Sequence, residues 1–285
     1  MASKEDNKIS LDQVIEAELE SKPEPEPEDA EETVKLGDQY IAKGNVSQAI
    51  HQYRRAVRMK SDDPDNCTRL GDAYLYAEMS LKAVSQYRKA IRISPRRAEP
   101  HFSLAEVYIR YGKYHAAILE YRKAIEMNPK NAFYHYKLGS ALSVSGLLEQ
   151  AIAELEVARD LNPEDGFYHF WLGDLYTRAG RTREALQEME AATQYSPLDD
   201  YYSARLGIIY LQLDYLPEAA HSFQQAVRLN PENSAYHTIL GDIYLKLGFE
   251  RQALIHYRLA GDLDPYDSIY LERIRNVGGS VSVAE

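Results

Sequence analysis

The dipeptide Leu36-Gly37 returns every 34 residues along the chain, and no other feature constrains the fold so tightly. The series continues Leu70-Gly71, Leu104-Ala105, Leu138-Gly139, Leu172-Gly173, Leu206-Gly207 and Leu240-Gly241, without insertion or deletion. With Ala30 as position 1, seven repeats occupy residues 30–63, 64–97, 98–131, 132–165, 166–199, 200–233 and 234–267. Position 20 is alanine in all seven, from Ala49 to Ala253, and so is position 27, from Ala56 to Ala260. Position 11 is tyrosine except at Leu142, and position 32 is proline from Pro95 to Pro265, with Ser61 in the first repeat. A chain of 285 residues would otherwise suggest about two domains. A strict period overrides that expectation and predicts a stack of like units.

Each unit reads as two helices. A glycine at position 15 (Gly44, Gly112, Gly146, Gly180, Gly248) splits the repeat, and the proline with its Asn or Asp neighbours closes it. Alanine at 20 and 27 lets helix backbones approach closely while keeping the best helix propensity. Glycine at 8 serves close approach at some helical cost. One such pair cannot bury its own apolar faces, so stability has to come from stacking repeat on repeat.

These spacings closely resemble the tetratricopeptide repeat family over residues 30–267: a bulky residue at 4, Leu-Gly at 7 and 8, Tyr at 11, Ala at 20, an aromatic at 24, Ala at 27 and Pro at 32. The resemblance implies an all-α fold, a right-handed α-solenoid or superhelix of helix-turn-helix repeats. It also implies a concave groove lined mainly by first helices, protein or peptide recognition in that groove, and no chemistry of the family's own.

Two segments flank the array. After Asp267, residues 268–277 (SIYLERIRNV) predict a C-terminal capping helix with Leu271 and Ile274 at repeat positions 4 and 7, and residues 278–285 a flexible tail. Residues 1–29 carry ten acids and three lysines and are expected to be a disordered acidic tail, its KPEPEPEDAEE stretch an extended linker. Within it, residues 10–20 place Leu11, Val14 and Ile15 on one stripe of a short amphipathic helix, with Ser10 and Gln13 spaced as a capping box. From residue 30 onward 30 bases face 34 acids, a near balance.

Several function classes are excluded by what the residues lack. The single Cys67 allows no internal disulfide and no cysteine zinc site. No apolar run approaches the ~18–20 residues that span a bilayer, and MASKEDNKIS lacks the apolar core of a secretory signal, so a soluble cytoplasmic protein without membrane insertion is expected. The sequence holds no phosphate-cradling glycine loop, nucleophile elbow or HExxH motif. The expectation is a protein that is not an enzyme and holds no cofactor or metal.

At about 100° per residue, positions 4, 7, 8 and 11 share one stripe of the first helix, opposite positions 2, 5, 9, 12 and 13. The first stripe packs and the second faces the groove. This places His101, His135, His169 and His237, all at position 4, in the packing, and stacked helices at least ~8 Å apart could not bring them to one metal ion. On the groove stripe, aromatics gather at positions 2 and 5: Phe102, Phe133, Tyr136, Phe167, Phe170 and Tyr201, bordered by Trp171 at position 6. They form either an exposed patch for a partner or a means of winding the superhelix more tightly. Position 9 adds acids, Asp38, Asp72, Glu106, Asp174 and Asp242. Arg110, Arg178 and Lys246 offer the last three an i,i+4 partner, which leaves Asp38 and Asp72, with Glu31 and Asp65, to steer a basic ligand segment.

The partner-binding set is therefore Phe102, Phe133, Tyr136, Phe167, Phe170, Trp171, Tyr201, Asp38, Asp72, Glu106 and Asp174. The reading these residues favour is a scaffold or adaptor that holds a protein or peptide partner, apolar and basic, in assembling a multiprotein complex. Self-association as a homo-oligomer, or occupation of the groove by the segment 10–20, is the alternative. A chaperone-tail clamp is disfavoured, because Val34, Asp38, Arg69, Glu99 and Ser103 stand where its Lys and Asn residues and final Lys and Arg belong. Nucleic acid is not expected, since the groove is mixed to acidic rather than basic.

Overall fold

A computed structural model describes residues 29–266, 271–275 and 277. The chain falls into two compact units, one ending at Ser145 and one beginning at Gly146. The first contains α1 (Ala30–Ala42), α2 (Val46–Met59), α3 (Pro64–Tyr76), α4 (Ser80–Ile93), α5 (Ala98–Arg110), α6 (Tyr114–Met127) and α7 (Ala132–Val144). The second contains α8 (Leu148–Leu161), α9 (Gly166–Arg178), α10 (Thr182–Tyr195), α11 (Asp200–Gln212), α12 (Leu216–Leu229), α13 (Ser234–Lys246) and α14 (Glu250–Leu263). Every first helix covers repeat positions 1–13 and every second helix positions 17–30. The described residues contain no strand.

Local chemistry sets these boundaries. First helices begin after position 34 of the preceding repeat, where the side chains of Asp63, Asn131, Asp165, Asp199 and Asn233 accept from backbone N–H groups of the first turn, as Asp29 does for α1. Arg97 before α5 makes no such bond. Between the two helices the residue at position 15 takes a left-handed conformation, with φ from 65° to 81° at the five glycines and 61° at Glu78 and Asp214. The left-handed turn is thus a property of every repeat, including two whose residue there has a Cβ.

The alanines form the seam between helices. All seven at position 20 are fully buried, as are those at position 27, Ala260 alone showing 2% exposure. Glycine at position 8 is a matter of space. A Cβ on Gly37, Gly71 or Gly241 would sit 2.5–2.6 Å from the ring of Tyr53, Tyr87 or Tyr257 at position 24, and one on Gly207 would sit 2.7 Å from Phe223. The helical cost of glycine is offset by the largest side chain of the second helix.

Past the last repeat, Val277 is buried against Ala253 and Tyr257, with Ile274 packed on the same cluster. Leu271, expected to pack at position 4, is 44% exposed instead. The contact comes from Ile274 and Val277, one turn further on, where the segment meets the ring of Tyr257. The expectations for the acidic tail, the helix at 10–20 and the tail at 278–285 lie outside the described residues.

Candidate functional site

The packing stripe is settled by position 4, where Thr33, Cys67, His101, His135, His169, Ser203 and His237 are all at least 92% buried. Each histidine donates from Nε2 to the carbonyl of the proline six residues earlier, at 3.0 Å for His135 on Pro129 and 2.9 Å for His169 on Pro163. The imidazole thereby fastens the turn between repeats. Its Nδ1 faces position 23: Glu120 at 2.6 Å from His101, Glu188 at 2.7 Å from His169, and His256 at 3.0 Å from His237. Burial works against a charged His169, but the Glu188 carboxylate and the Pro163 carbonyl outweigh it and its pKa is raised. His256 goes the other way: burial and the adjacent His237 lower it to about 4. Among the described residues no group of three or more His, Cys, Asp or Glu side chains could hold a metal ion.

Four of the five acids of position 9 accept from a tyrosine at position 24, and Asp174, opposite Met189, does not. Tyr53, Tyr87 and Tyr257 donate to Asp38, Asp72 and Asp242 at 2.6, 2.7 and 2.8 Å, and Tyr121 donates to Glu106. The cation arrives from position 6 of the following element. Arg69 reaches Asp38 at 2.7 Å, Lys137 reaches Glu106 at 2.8 Å, Arg205 reaches Asp174 at 2.5 Å, and Arg273 holds both oxygens of Asp242. For Glu106 and Asp242 this corrects the i,i+4 expectation of Arg110 and Lys246, because the partner lies 31 residues ahead. It also corrects the negative entrance, since Asp38 has its arginine, Glu31 pairs with Lys35 at 2.9 Å and Asp65 with Arg97 at 2.5 Å. Asp72 is the exception. Position 6 there is Ser103, whose hydroxyl stands 3.4 Å away, and desolvation raises the Asp72 pKa against the pull of Tyr87 and Ser103.

The aromatics divide by position. Phe170 is 5% exposed, a correction to its place on the partner face. Its ring stacks on Tyr202, at position 3 of the next repeat, with centroids 4.4 Å apart and planes 10° apart. Phe102 stacks in the same way on Tyr134, at 4.7 Å and 20°, and is half-buried. Position 5 is thus consumed largely by the stack. Position 2 is not: Phe133 is 43% exposed and Tyr201 52%, with Trp171 at 36%. In the first unit Phe133 lies 5.8 Å from Phe102 and 5.9 Å from half-buried Tyr136, with the Lys137 ammonium 5.3 Å from its ring. In the second unit Trp171 meets Phe167 at 6.2 Å and Phe170 at 5.5 Å, and Tyr201 meets Phe170 at 5.5 Å. The tyrosines at position 3, which make half of each stack, escape a reading confined to positions 2 and 5. The signal available in sequence was the pairing of Tyr134 after Phe102 and Tyr202 after Phe170.

Helix pairs of fixed length and register, alanine seams and a proline turn fastened by histidine define an α-solenoid of helix-turn-helix repeats. Descriptions of the family agree: "TPR repeat" matches residues 37–76 and 107–143, and "Tetratricopeptide repeat" matches 64–97, 136–201 and 204–268. The chain belongs to the tetratricopeptide repeat family. Among solved structures it is similar to YrrB, described as having an unusual peptide-binding site, with 21% identity over 66% of this chain and 96% of that one and a TM-score of 0.57. It is similar to PilF of Pseudomonas aeruginosa at 21% identity, 73% and 95% coverage and a TM-score of 0.59. A tetratricopeptide repeat protein of Parabacteroides merdae matches at 15% identity, 87% and 98% coverage and a TM-score of 0.59. These likenesses show the fold. A comparison with curated protein sequences finds no match. Among the described residues no helix is long and apolar enough to cross a membrane.

Proposed function

We propose that the protein is an interaction scaffold that holds a peptide or helix of a partner protein against its first-helix face, and that it performs no catalysis. The observation that carries this reading is the exposure of Phe133, Trp171 and Tyr201, three large aromatics on first helices that the stacking of repeats leaves uncovered. Exposed aromatic side chains on a rigid scaffold make strong anchors, because they bring large apolar area with few rotamers to lose. Phe102 and Tyr136 flank Phe133 in the first unit and Phe167 flanks Trp171 in the second, while Phe170 acts by holding Trp171 and Tyr201 in place. Of the acids, Asp38, Glu106 and Asp174 line the face as neutralised rungs, and Asp72 offers a carboxylate with no ion pair among the described residues. A partner segment with apolar side chains and one basic residue suits this surface. The peptide-binding site described for YrrB, on the same fold, is in keeping with it. Pull-down from native cells with Phe133→Ala, Trp171→Ala and Tyr201→Ala tests the reading; unchanged partner recovery by all three would move the site off this face.

A further inference from the structure

Charge is polarised along the array. Residues 30–131 carry 18 Lys and Arg against 12 Asp and Glu, whereas residues 132–285 carry 12 against 22. The near balance after residue 29 is the sum of two opposite excesses. The basic excess sits on second helices at positions 25, 26 and 29, which read Arg54, Arg55, Arg58 on α2 and Arg88, Lys89, Arg92 on α4. On α8 the same positions are Glu156, Val157 and Asp160. Lying 140–200° around the helix from the buried rings of Tyr53 and Tyr87, by the ~100° step per residue, the bases at positions 26 and 29 face away from the first helices, whereas position 25 turns toward the next first helix, where Arg88 meets Tyr108.

Arg58, Arg88 and Arg92 are exposed, and Arg54 and Lys89 half-buried. Among the described residues Arg54, Arg58, Lys89 and Arg92 have no acidic partner, and Arg88 donates only to the neutral Tyr108 hydroxyl at 3.2 Å. The contrast with the first-helix face is plain, since four of its five position-9 acids have a cation. Both α2 and α4 pack against α3, so the like charges on their outer faces, without acids between them, repel one another through solvent. Such a face calls for an anion.

The chain carries one. Residues 16–29, EAELESKPEPEPED, hold seven acids and one lysine. They enter the array at Asp29, and the start of α1 lies beside the end of α2, with Thr33 Oγ1 3.8 Å from Met59 Sδ. The acidic run is therefore tethered at the end of the array that carries Arg58 and Lys60. Extended at ~3.1 Å per residue, the eight residues from Lys22 to Asp29 reach ~25 Å, enough to cross from α2 to α4, and the tether supplies an effective concentration in the millimolar range. We propose that residues 16–29 lie across the basic outer face of α2 and α4 within the same molecule, neutralising it and screening it from other polyanions. A nucleic acid would match the charge, but positions 22, 25, 26 and 29 of α2 and α4 hold a single ring, His51, and not the successive aromatic rings on which single-strand binders stack unpaired bases. This proposal concerns a face distinct from the aromatic one and stands apart from the scaffold reading.

Zero-length carbodiimide crosslinking of the full chain, mapped by mass spectrometry, tests it. The expected result is joining of Glu24, Glu26 and Glu28 to Lys60 and Lys89, within single copies when isotope-labelled and unlabelled protein are mixed. Yield should drop about fivefold in 0.5 M salt and in the Arg58→Glu, Arg92→Glu double variant. In parallel, affinity for a labelled 20-nucleotide single-stranded DNA should rise about tenfold in Glu24→Gln, Glu26→Gln, Glu28→Gln protein. Crosslinks spread equally to Lys137 and Lys246, crosslinks between copies, or DNA affinity unchanged by the tail substitutions would each overturn the proposal.

Discussion

The Tyr53 hydroxyl donates to Asp38 at 2.6 Å, and Arg69 of the next repeat donates to the same carboxylate oxygen at 2.7 Å. One acid thus joins the two helices of its repeat and the repeat that follows. Composition varies accordingly along the chain: tyrosine at position 24 accompanies an acid at 9 in repeats one, two, three and seven, while Ile208 accompanies Phe223 and Ser140 accompanies Leu155. A buried hydroxyl needs an acceptor, and a ring without one does not.

That pairing predicts non-additivity. Tyr53→Phe alone, or Asp38→Ile alone, should each cost about 1 kcal/mol, the net worth of a hydrogen bond or somewhat more where a buried group is orphaned. Together they reproduce the apolar pair of repeat six and should cost less than the sum by about 1 kcal/mol. Urea unfolding of the four proteins of the cycle measures the coupling; strict additivity would show the bond to be incidental.

The left-handed turns give a second prediction. Glu78 and Asp214 hold φ of 61° where five repeats use glycine, and a side chain there is strained by about 1 kcal/mol. Glu78→Gly and Asp214→Gly should raise stability by about 0.5 kcal/mol once the extra freedom of unfolded glycine is subtracted. Gly44→Ala, in open space but at φ of 76°, should lower it by about 1 kcal/mol. Thermal melts of the three variants decide the signs.

His256 at position 23 and His169 at position 4 predict opposite responses to pH in two repeats. His256, lowered to about 4 beside His237, binds fewer protons folded than unfolded between pH 6.5 and 4. Its repeat should therefore lose stability as pH falls through that window, by about 3 kcal/mol at the acid end. His169 is raised by Glu188 and Pro163, so its contribution is complete below pH 6.5 and fades as pH climbs through the raised value. Hydrogen exchange of α13–α14 against α9–α10 at pH 5 and 7.5 separates the two trends, and His256→Gln should abolish the first.

Much of this architecture is legible in a period of 34 because positions 8, 20 and 27 admit so few side chains: glycine clears the Tyr53, Tyr87 and Tyr257 rings, with Ala105 opposite Tyr121 the one larger residue at position 8, and the seam alanines are buried. The histidine at position 4 is legible as packing for the same reason. The cation ladder is not, because Arg69, Lys137 and Arg205 reach back 31 residues, and helical neighbours at i+4 look equally suitable until the stacking distance is known. Phe170 misleads because exposure at position 5 is decided by the residue at position 3 of the following repeat, here Tyr202. The outer charge of α2 and α4 is in plain view in the sequence, yet a total taken over all seven repeats cancels it.

The division of aromatics between packing and recognition supplies the last prediction. Phe170 is buried and stacked, so Phe170→Ala should cost about 3 kcal/mol of stability through lost burial and an unfilled cavity. Any loss of partner binding in that variant should be accompanied by a lower melting temperature. Phe133, Trp171 and Tyr201 present much of their area to solvent, and their truncation removes few internal contacts. Each of the three alanine variants should melt within about 1 kcal/mol of the parent, because substitutions at exposed positions are weakly destabilising. The same three should lose about 2 kcal/mol of partner affinity, roughly thirtyfold in Kd, if they act as anchors. Melting temperature plotted against affinity for the four proteins therefore distinguishes the roles. Anchors fall on a horizontal line of constant stability, and a packing residue falls on the diagonal. Placement of Trp171→Ala on the diagonal would reassign it to the stack with Phe170, its neighbour at 5.5 Å.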